Sequence, residues 1–401
     1  MLTNRQLFLS HLGQTSPSPM MLEIERAEGV FMFGPDGEKY FDLISGVSVS
    51  NTGHHHPKIV EAVKKQADSF MHLMVYGEII QSPQVEYARR LTELLPKGLD
   101  SCYFVNSGSE AVEGGLKLAR RYTGRSRIVH FRSAYHGSTY GALSVQGSEE
   151  YRNSFRPLLP DTWMASFNDE KTLSLIDNNT ACVIIEPVQA EAGVIYPFDN
   201  FLAKLRDRCN ITGALLIFDE IQTGFGRLGS MFATDKFRVV PDIILLAKAL
   251  GGGMPLGAFI SSQKIMDSLS SNPILGHITT FGGHPVSCAA GLAALDVIID
   301  ENLVSTCCYK SDIFRKELVH PLISEIRGDG LLMAVKLTES RYVSYIVSKA
   351  PAFGLILDYF LFCADSFRIA PPLIISESEI LQACRQLKDL LDDGLINSGI
   401  K

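Results

Sequence analysis

The sequence predicts an α/β protein organised around a mostly parallel sheet, and three observations carry that prediction. Five short apolar runs recur through the middle of the chain: SCYFV (101–105), RIVHF (127–131), ACVII (181–185), ALLIF (214–218) and DIILL (242–246). Near-continuous apolar strands of this kind belong to a sheet buried on both faces. Each run gives way to polar or glycine-rich residues and then to a helical pattern, the alternation expected of parallel strands joined by helices. The polar groups with chemical potential, Glu186, Asp219 and Lys248 among them, lie at the ends of these runs, Lys248 one residue on, after Ala247. Ligands of such sheets gather beyond the carboxyl ends of the strands.

Taken in order, the start MLTNRQLFLSHLGQ lacks a basic segment followed by an apolar stretch, so no signal peptide is expected. FMFGPDGEKYFDL reads as a hairpin turning at Pro35-Asp36-Gly37. GHHHP (53–57) invites a metal reading, but three consecutive histidines cannot face one site from a strand and no partner cluster accompanies them. A turn ahead of a helix opened by Pro57 is expected there, with no metal. From about residue 305 the texture changes to a helix, the segment IRGDGLLMAVKL, another helix, and a final polar helix from Ser376. The expected organisation is an N-terminal segment (1–48) that joins a smaller α+β domain, a large domain (49–304) and the C-terminal small domain (305–401).

Composition narrows the function classes. Hydrophobic residues make up 46% and charged residues 20%, ordinary for a globular protein. The formal net charge of -7 argues against a nucleic-acid surface, which needs a basic face. Eight cysteines occur without a C-x-x-C pair or metal-like spacing, and several sit inside apolar runs, as Cys182 does in ACVII. A reducing, cytoplasmic setting follows as the expectation. The longest apolar region, 243–260, is broken by Lys248 and glycines, so no membrane-spanning helix is expected.

The chemistry begins at SGSE (107–110), where a strand meets a helix. Ser107 and Glu110 have capping-box spacing, and Gly108 leaves room for close approach to the backbone. Free N–H groups and the helix dipole there suit a phosphate, although an ordinary capped helix explains the same four residues. No G-x-x-x-x-G-K-[ST] loop is present, because Lys248 precedes its glycines, which argues against a nucleotide triphosphatase. Asp219 and Lys248 each end a buried strand. A buried ion pair between them is one reading, but desolvation makes such pairs costly. Desolvation also disfavours a charged lysine and leaves an amine able to attack a carbonyl. A Schiff-base lysine, an acid for a ring nitrogen, an aromatic (Tyr135) and a phosphate cradle together match pyridoxal phosphate. A sugar-phosphate or nucleotide enzyme on a similar sheet stays open on spacing alone.

Longer blocks narrow this further. FVNSGSEAVEGGLKLAR, AYHGSTYGALS, IIEPVQAEAGV, LLIFDEIQTGFGRLG, PDIILLAKALGGGMPLGA, HITTFGGHP and FRIAPPL resemble, in order, the class III aminotransferases, pyridoxal-phosphate enzymes of fold type I. The resemblance runs from about residue 20 to 385. It implies a seven-stranded, mostly parallel sheet in the large domain and a homodimer with shared active sites. It implies that Lys248 is the Schiff-base lysine and proton shuttle, and that Asp219 keeps the pyridine nitrogen protonated. Gln222 matches the group near the ring O3′, Tyr135 the stacking aromatic, and Ser107, Gly108 and Ser109 the phosphate turn. His136 and Glu186 join this cofactor-binding set, although Tyr135 and His136 could instead pack or cap. Thr280 resembles the threonine that reaches the neighbouring subunit's phosphate. Arg368 matches the arginine that binds a substrate carboxylate, and Glu191 the glutamate that pairs with it when an amine donor is bound.

Departures from the family pattern bear on the substrate. Ser138 stands where H-G-R-T carries an arginine for a distal carboxylate, and a hydroxyl cannot replace a guanidinium fork. Val47 lies where ornithine aminotransferases carry a tyrosine; Ala190 replaces a usual glycine and His284 a usual asparagine. GGGMPLGA and GVSVSNTGHHHP resemble the acetylornithine and 4-aminobutyrate branches. MHLMVYGEIIQSPQVEYARRL and YHGST lean toward the diaminopelargonate and broad ω-amine branches. The expectation is an aminotransferase moving an amino group from an ω-amino acid of acetylornithine, ornithine or 4-aminobutyrate type to 2-oxoglutarate. The alternatives are an adenosylmethionine-8-amino-7-oxononanoate or broad ω-amine aminotransferase, an aminomutase, and a non-catalytic binding protein.

Overall fold

The computed structural model describes residues 2–75 and 77–397; Met1, Tyr76 and residues 398–401 of the expected segments lie outside the described residues. Three short N-terminal strands, β1 (Arg26–Glu28), β2 (Phe31–Phe33) and β3 (Lys39–Asp42), come first, and β2 and β3 form the hairpin expected around Pro35-Asp36-Gly37. The large sheet follows: β4 (Ser101–Val105), β5 (Arg127–Phe131), β6 (Thr162–Ala165), β7 (Thr180–Ile185), β8 (Leu215–Asp219), β9 (Ile243–Leu246) and β10 (Gly257–Ser261). Its order is β4-β10-β9-β8-β7-β5-β6. All neighbours are parallel except β10, which runs antiparallel to both β4 and β9.

The five apolar runs are strands, and the remaining two strands were hidden for different reasons. β6 (TWMA) is a partly exposed edge, where Arg127 lies 3.8 Å from the Trp163 ring centroid. β10 (GAFIS) is wholly buried, but it merges in sequence with the apolar region that starts at 243. The expected alternation with helices fails after β8. Between Asp219 and Ile243 the only helix is the five-residue Ala233–Phe237, because Gly226 and Gly229 take φ of +90° and +77° and break any longer one. Two glycines mid-helix have the opposite role. Gly114 and Gly115 of helix Gly108–Thr123 face Phe259 and Leu245, where a Cβ would collide, so the helix lies close on the sheet.

The C-terminal strands β11 (Ile323–Arg327), β12 (Met333–Leu337), β14 (Asp358–Phe360) and β15 (Cys363–Ile369) form a sheet of order β11-β12-β15-β14. The two-residue strand β13 (Leu355–Ile356) instead pairs in parallel with β3, which ties the N-terminal segment to the C-terminal part. One apolar cluster runs from Val30 through Leu246 and Leu250 to Leu391, across the expected boundary near 304. The last helix, Glu377–Asn397, is amphipathic and buries Ile380, Ala383, Leu387, Leu390 and Leu391. Pro57 opens helix Pro57–Ser69, as expected, with His56 at the position before it making no side-chain cap, and the histidines diverge: His54 lies 2.8 Å from Asp42, His56 3.3 Å from Glu301. Among the described residues no helix is long and apolar enough to cross a membrane.

Candidate active site

A cavity of about 410 Å³ opens beyond the carboxyl ends of β4, β5, β7, β8 and β9. Nine of the residues singled out in the sequence line it: Ser107, Gly108, Ser109, Tyr135, His136, Glu186, Asp219, Gln222 and Lys248. Chain ends far apart in sequence meet here because parallel strands present their carboxyl ends to one rim.

At the β4 end, Ser107 caps helix Gly108–Thr123 by accepting from Glu110 N at 3.2 Å. The capping box is only half formed. The Glu110 carboxylate turns back to Asn106, taking its N–H at 2.7 Å and its Nδ2 at 2.8 Å. The N–H groups of Gly108 and Ser109 have no acceptor within the helix, which leaves a cradle for an anion. The cradle is tight: a Cβ on Gly108 would press on Ile221, and one on Gly137 would overlap Ser109.

On the opposite wall, Asp219 is 3% exposed and its Oδ2 lies 2.7 Å from His136 Nδ1. Asp219 Oδ1 accepts from Ile221 N at 3.1 Å, so both oxygens are held. Glu186 accepts from Tyr135 N (3.0 Å) and Ala190 N (3.3 Å), which fixes the backbone carrying the aromatic ring. Burial pushes the Glu186 carboxyl well above the usual carboxylate range, and the Asp219 charge adds to the push. Gln222 Nε2 and His136 Nε2 are buried with no partner.

Lys248 follows β9 at a φ of +52°, a left-handed turn that aims a non-glycine side chain across the rim. Its Nζ makes no hydrogen bond or ion pair with the described residues; the close partner of Asp219 is His136, so the plain Asp219–Lys248 ion pair is not formed. Burial lowers the Lys248 pKa, opposed by the charges of Asp219, Glu191 and Glu186 and reinforced by Arg368. Two of the three glycines that follow divide the work. A Cβ on Gly252 would strike the Ala290 carbonyl of helix Pro285–Asp300, whereas Gly253 has open space and lines the cavity.

Five predicted residues lie off this cavity wall. Arg368 and Glu191 form a buried pair at 2.6 Å, with side chains 1% and 6% exposed. Ser138 is exposed, and its N–H donates to Ser109 Oγ at 3.3 Å. Thr280 is exposed, with its carbonyl accepting from His72 Nε2 at 2.8 Å. Val47 sits in a run of positive φ (Ser45 to Ser48), and Val49, two residues on, lines the cavity instead. Asn106, Ile221 and Met254 to Leu256 also line it without having been singled out; Asn106 directly precedes the phosphate turn and was the most discoverable. Arg227 was missed too. It is fully buried and binds the carbonyls of Leu331 and Pro371 and the side chains of Ser45 and Asn51, so it stitches the Val47–Val49 segment to the C-terminal part.

A half-buried unpaired lysine, an acid braced by histidine, an aromatic and an anion cradle around one cavity define a Schiff-base enzyme built for a phosphorylated aldehyde cofactor. The chain belongs to the class III aminotransferases: the family model "Aminotransferase class-III" matches residues 13–391. An acetylornithine aminotransferase of Methanopyrus kandleri is 38% identical over 95% of this chain and 96% of its own. Ornithine aminotransferase 2 of Staphylococcus aureus is 36% identical over 94% and 96%. Among solved structures, an ornithine aminotransferase of Toxoplasma gondii superposes with a TM-score of 0.89 at 29% identity, covering 99% and 96% of the two chains. An (S)-enantioselective ω-transaminase of Thermomicrobium roseum gives 0.88 at 28%, covering 97% of each. The family depends on pyridoxal phosphate, and the orphaned Gln222 Nε2, the open N–H groups at Gly108 and Ser109 and the unpaired Lys248 fit that group.

Proposed function

We propose that this aminotransferase takes its amino group from an ω-amino acid of acetylornithine, ornithine or 4-aminobutyrate type and passes it to 2-oxoglutarate. The observation that carries this reading is the Arg368–Glu191 pair: a buried cation suited to a carboxylate, masked by an acid. While the pair is closed, the space beside Lys248 accepts a reacting carbon that bears no carboxylate. When Glu191 withdraws, Arg368 is free for the carboxylate of the keto acid. The similarity to acetylornithine and ornithine aminotransferases supports the same reading.

Ser107, Gly108 and Ser109 would hold the cofactor's phosphate, Tyr135 would stack on its ring with His136 and Glu186 bracing the wall, and Gln222 would meet O3′. Pyridoxal phosphate supplies an electron-withdrawing ring that absorbs the charge left when the donor carbon loses its proton. Asp219, oriented by His136 and the Ile221 N–H, keeps a proton on the pyridine nitrogen. Lys248, its neutral form favoured by burial, would take the proton from the donor carbon and deliver it to the cofactor carbon on the far side of the transferred nitrogen. A homodimer with Thr280 reaching the partner's site belongs to this reading. The exposed Ile274, Leu275, Ile278 and Phe281 around Thr280 support it. A reducing, cytoplasmic setting belongs to this reading as well, consistent with eight free cysteines.

A second reading, a broad ω-amine aminotransferase, is favoured by Ser138, which offers no charge to a distal carboxylate, and by Val47 in the place of the ornithine-branch tyrosine. A half-reaction screen separates the two. The visible band of the cofactor is followed after addition of ornithine, N-acetylornithine, 4-aminobutyrate, lysine, putrescine or S-adenosylmethionine. Loss of the band with the first three, and its return with 2-oxoglutarate, is expected. Reactivity with putrescine above all selects the second reading, and reactivity confined to S-adenosylmethionine overturns both.

A further inference from the structure

We propose that Asp358 is a specificity-determining residue: a second acid on the carboxylate-binding arginine, which sets the site against substrates with a carboxylate on the reacting carbon. The inference rests on the assignment of Arg368 made above. Strands β14 and β15 pair antiparallel with Asp358 opposite Arg368, so the ladder register holds the acid beside the guanidinium. Asp358 Oδ2 lies 3.6 Å from Arg368 Nη1, while its Oδ1 accepts from Tyr359 N at 2.8 Å. Glu191 occupies the other nitrogen, Nη2, at 2.6 Å.

The same hairpin grips Glu191. Leu361 N donates to Glu191 Oε2 at 3.2 Å, and Phe362 N donates to the Glu191 carbonyl at 3.0 Å. Phe360 closes one side of the guanidinium, its ring centroid 4.7 Å away. Arg368 Nε and Nη1 make no hydrogen bond although both are buried. One cation thus faces two carboxylates, a buried one at Glu191 and a partly exposed one at Asp358, which leaves a single net negative charge at the site. Burial raises the Asp358 carboxyl above its ordinary value, and the Arg368 charge opposes that rise.

This arrangement acts differently on the two kinds of substrate. When Glu191 withdraws, Arg368 keeps Asp358 as a counter-ion, so the buried cation is never bare. An arriving carboxylate must then share Arg368 and meet the repulsion of Asp358. An amine whose reacting carbon lacks a carboxylate meets neither effect.

The test is calorimetric titration of the holoenzyme with glutarate, an unreactive dicarboxylate, together with KM for 2-oxoglutarate and for ornithine. Asp358→Asn is expected to tighten glutarate and lower KM for 2-oxoglutarate by about 5- to 20-fold, with KM for ornithine and kcat little changed. Asp358→Glu is expected to restore the original values. Unchanged glutarate affinity in Asp358→Asn, or equal shifts for both substrates, overturns the proposal. Arg368→Lys separates the two levels. If it leaves glutarate binding intact, the assignment of Arg368 falls; if it weakens glutarate while Asp358→Asn changes nothing, only the role of Asp358 falls. Should Asp358→Asn fail to fold, Asp358→Ser is titrated in its place, with the same expected tightening.

Discussion

Glu191→Gln removes one charge from the site and keeps its shape, so Leu361 N–H retains an acceptor while Arg368 loses its close counter-ion. With side-chain exposures of 1% and 6%, the pair is effectively out of water. Removing one member of such a pair costs on the order of 3–5 kcal/mol. Asp358, at 3.6 Å and with a side chain 35% exposed, recovers part of that. A net penalty of about 2 kcal/mol remains, which at 1.4 kcal/mol per tenfold corresponds to about 30-fold in an equilibrium constant. A ligand carboxylate that takes Glu191's place regains the same free energy. The variant should therefore melt below the parent without ligand, and saturating glutarate should close the gap. Its glutarate affinity should rise about 30-fold by calorimetry, and its half-reaction with ω-amines should slow relative to α-amino acids. A loss of stability equal with and without glutarate, or unchanged affinity, would refute the masking of Arg368 by Glu191.

Two further outcomes follow from the buried groups. Lys248→Ala should lose the visible band of the cofactor on dialysis and at least about three orders of magnitude in turnover; a variant with near-normal rates rules out its role. His130 on β5 is buried with neither ring nitrogen partnered, and desolvation, helped by the charges of Arg152 and His136, holds its pKa down to about 3 against an ordinary 6.5. The unfolded chain therefore takes the proton first, and the stability contribution is lost as pH falls from 6.5 towards 3. His130→Phe should flatten that loss, gaining about 2 kcal/mol relative to the parent between pH 7.5 and pH 5 in urea titrations; parallel profiles would exclude His130 as an acid-labile group.

Much of the site was legible because its parts are local. Lys248 and Asp219 each end an apolar run, and Ser107 to Ser109 sit where a strand becomes a helix, so one stretch of sequence is enough to mark each of them. Residues that act through pairing across the fold left no such trace. Asp358 follows GLIL with nothing to flag it, and only the β14–β15 register sets it beside Arg368. Val49 rather than Val47 reaches the cavity because four consecutive residues with positive φ, Ser45 to Ser48, redirect the chain. No spacing rule anticipates such a run, since β-branched residues avoid that region. The helices expected after β5 and β8 are cut to five residues each, Tyr140–Ser144 and Ala233–Phe237, by glycine-bearing turns whose close packing depends on neighbours distant in sequence.

By itself the sequence determined the α/β class, the strand ends that carry chemistry and the family, because apolar periodicity and ordered motif blocks are properties of contiguous residues. Tertiary structure alone decided which charges face one another: His136 rather than Lys248 beside Asp219, and two acids rather than one beside Arg368. Electrostatic partnership depends on distance and burial, and both are set only when strands remote in the chain are brought side by side.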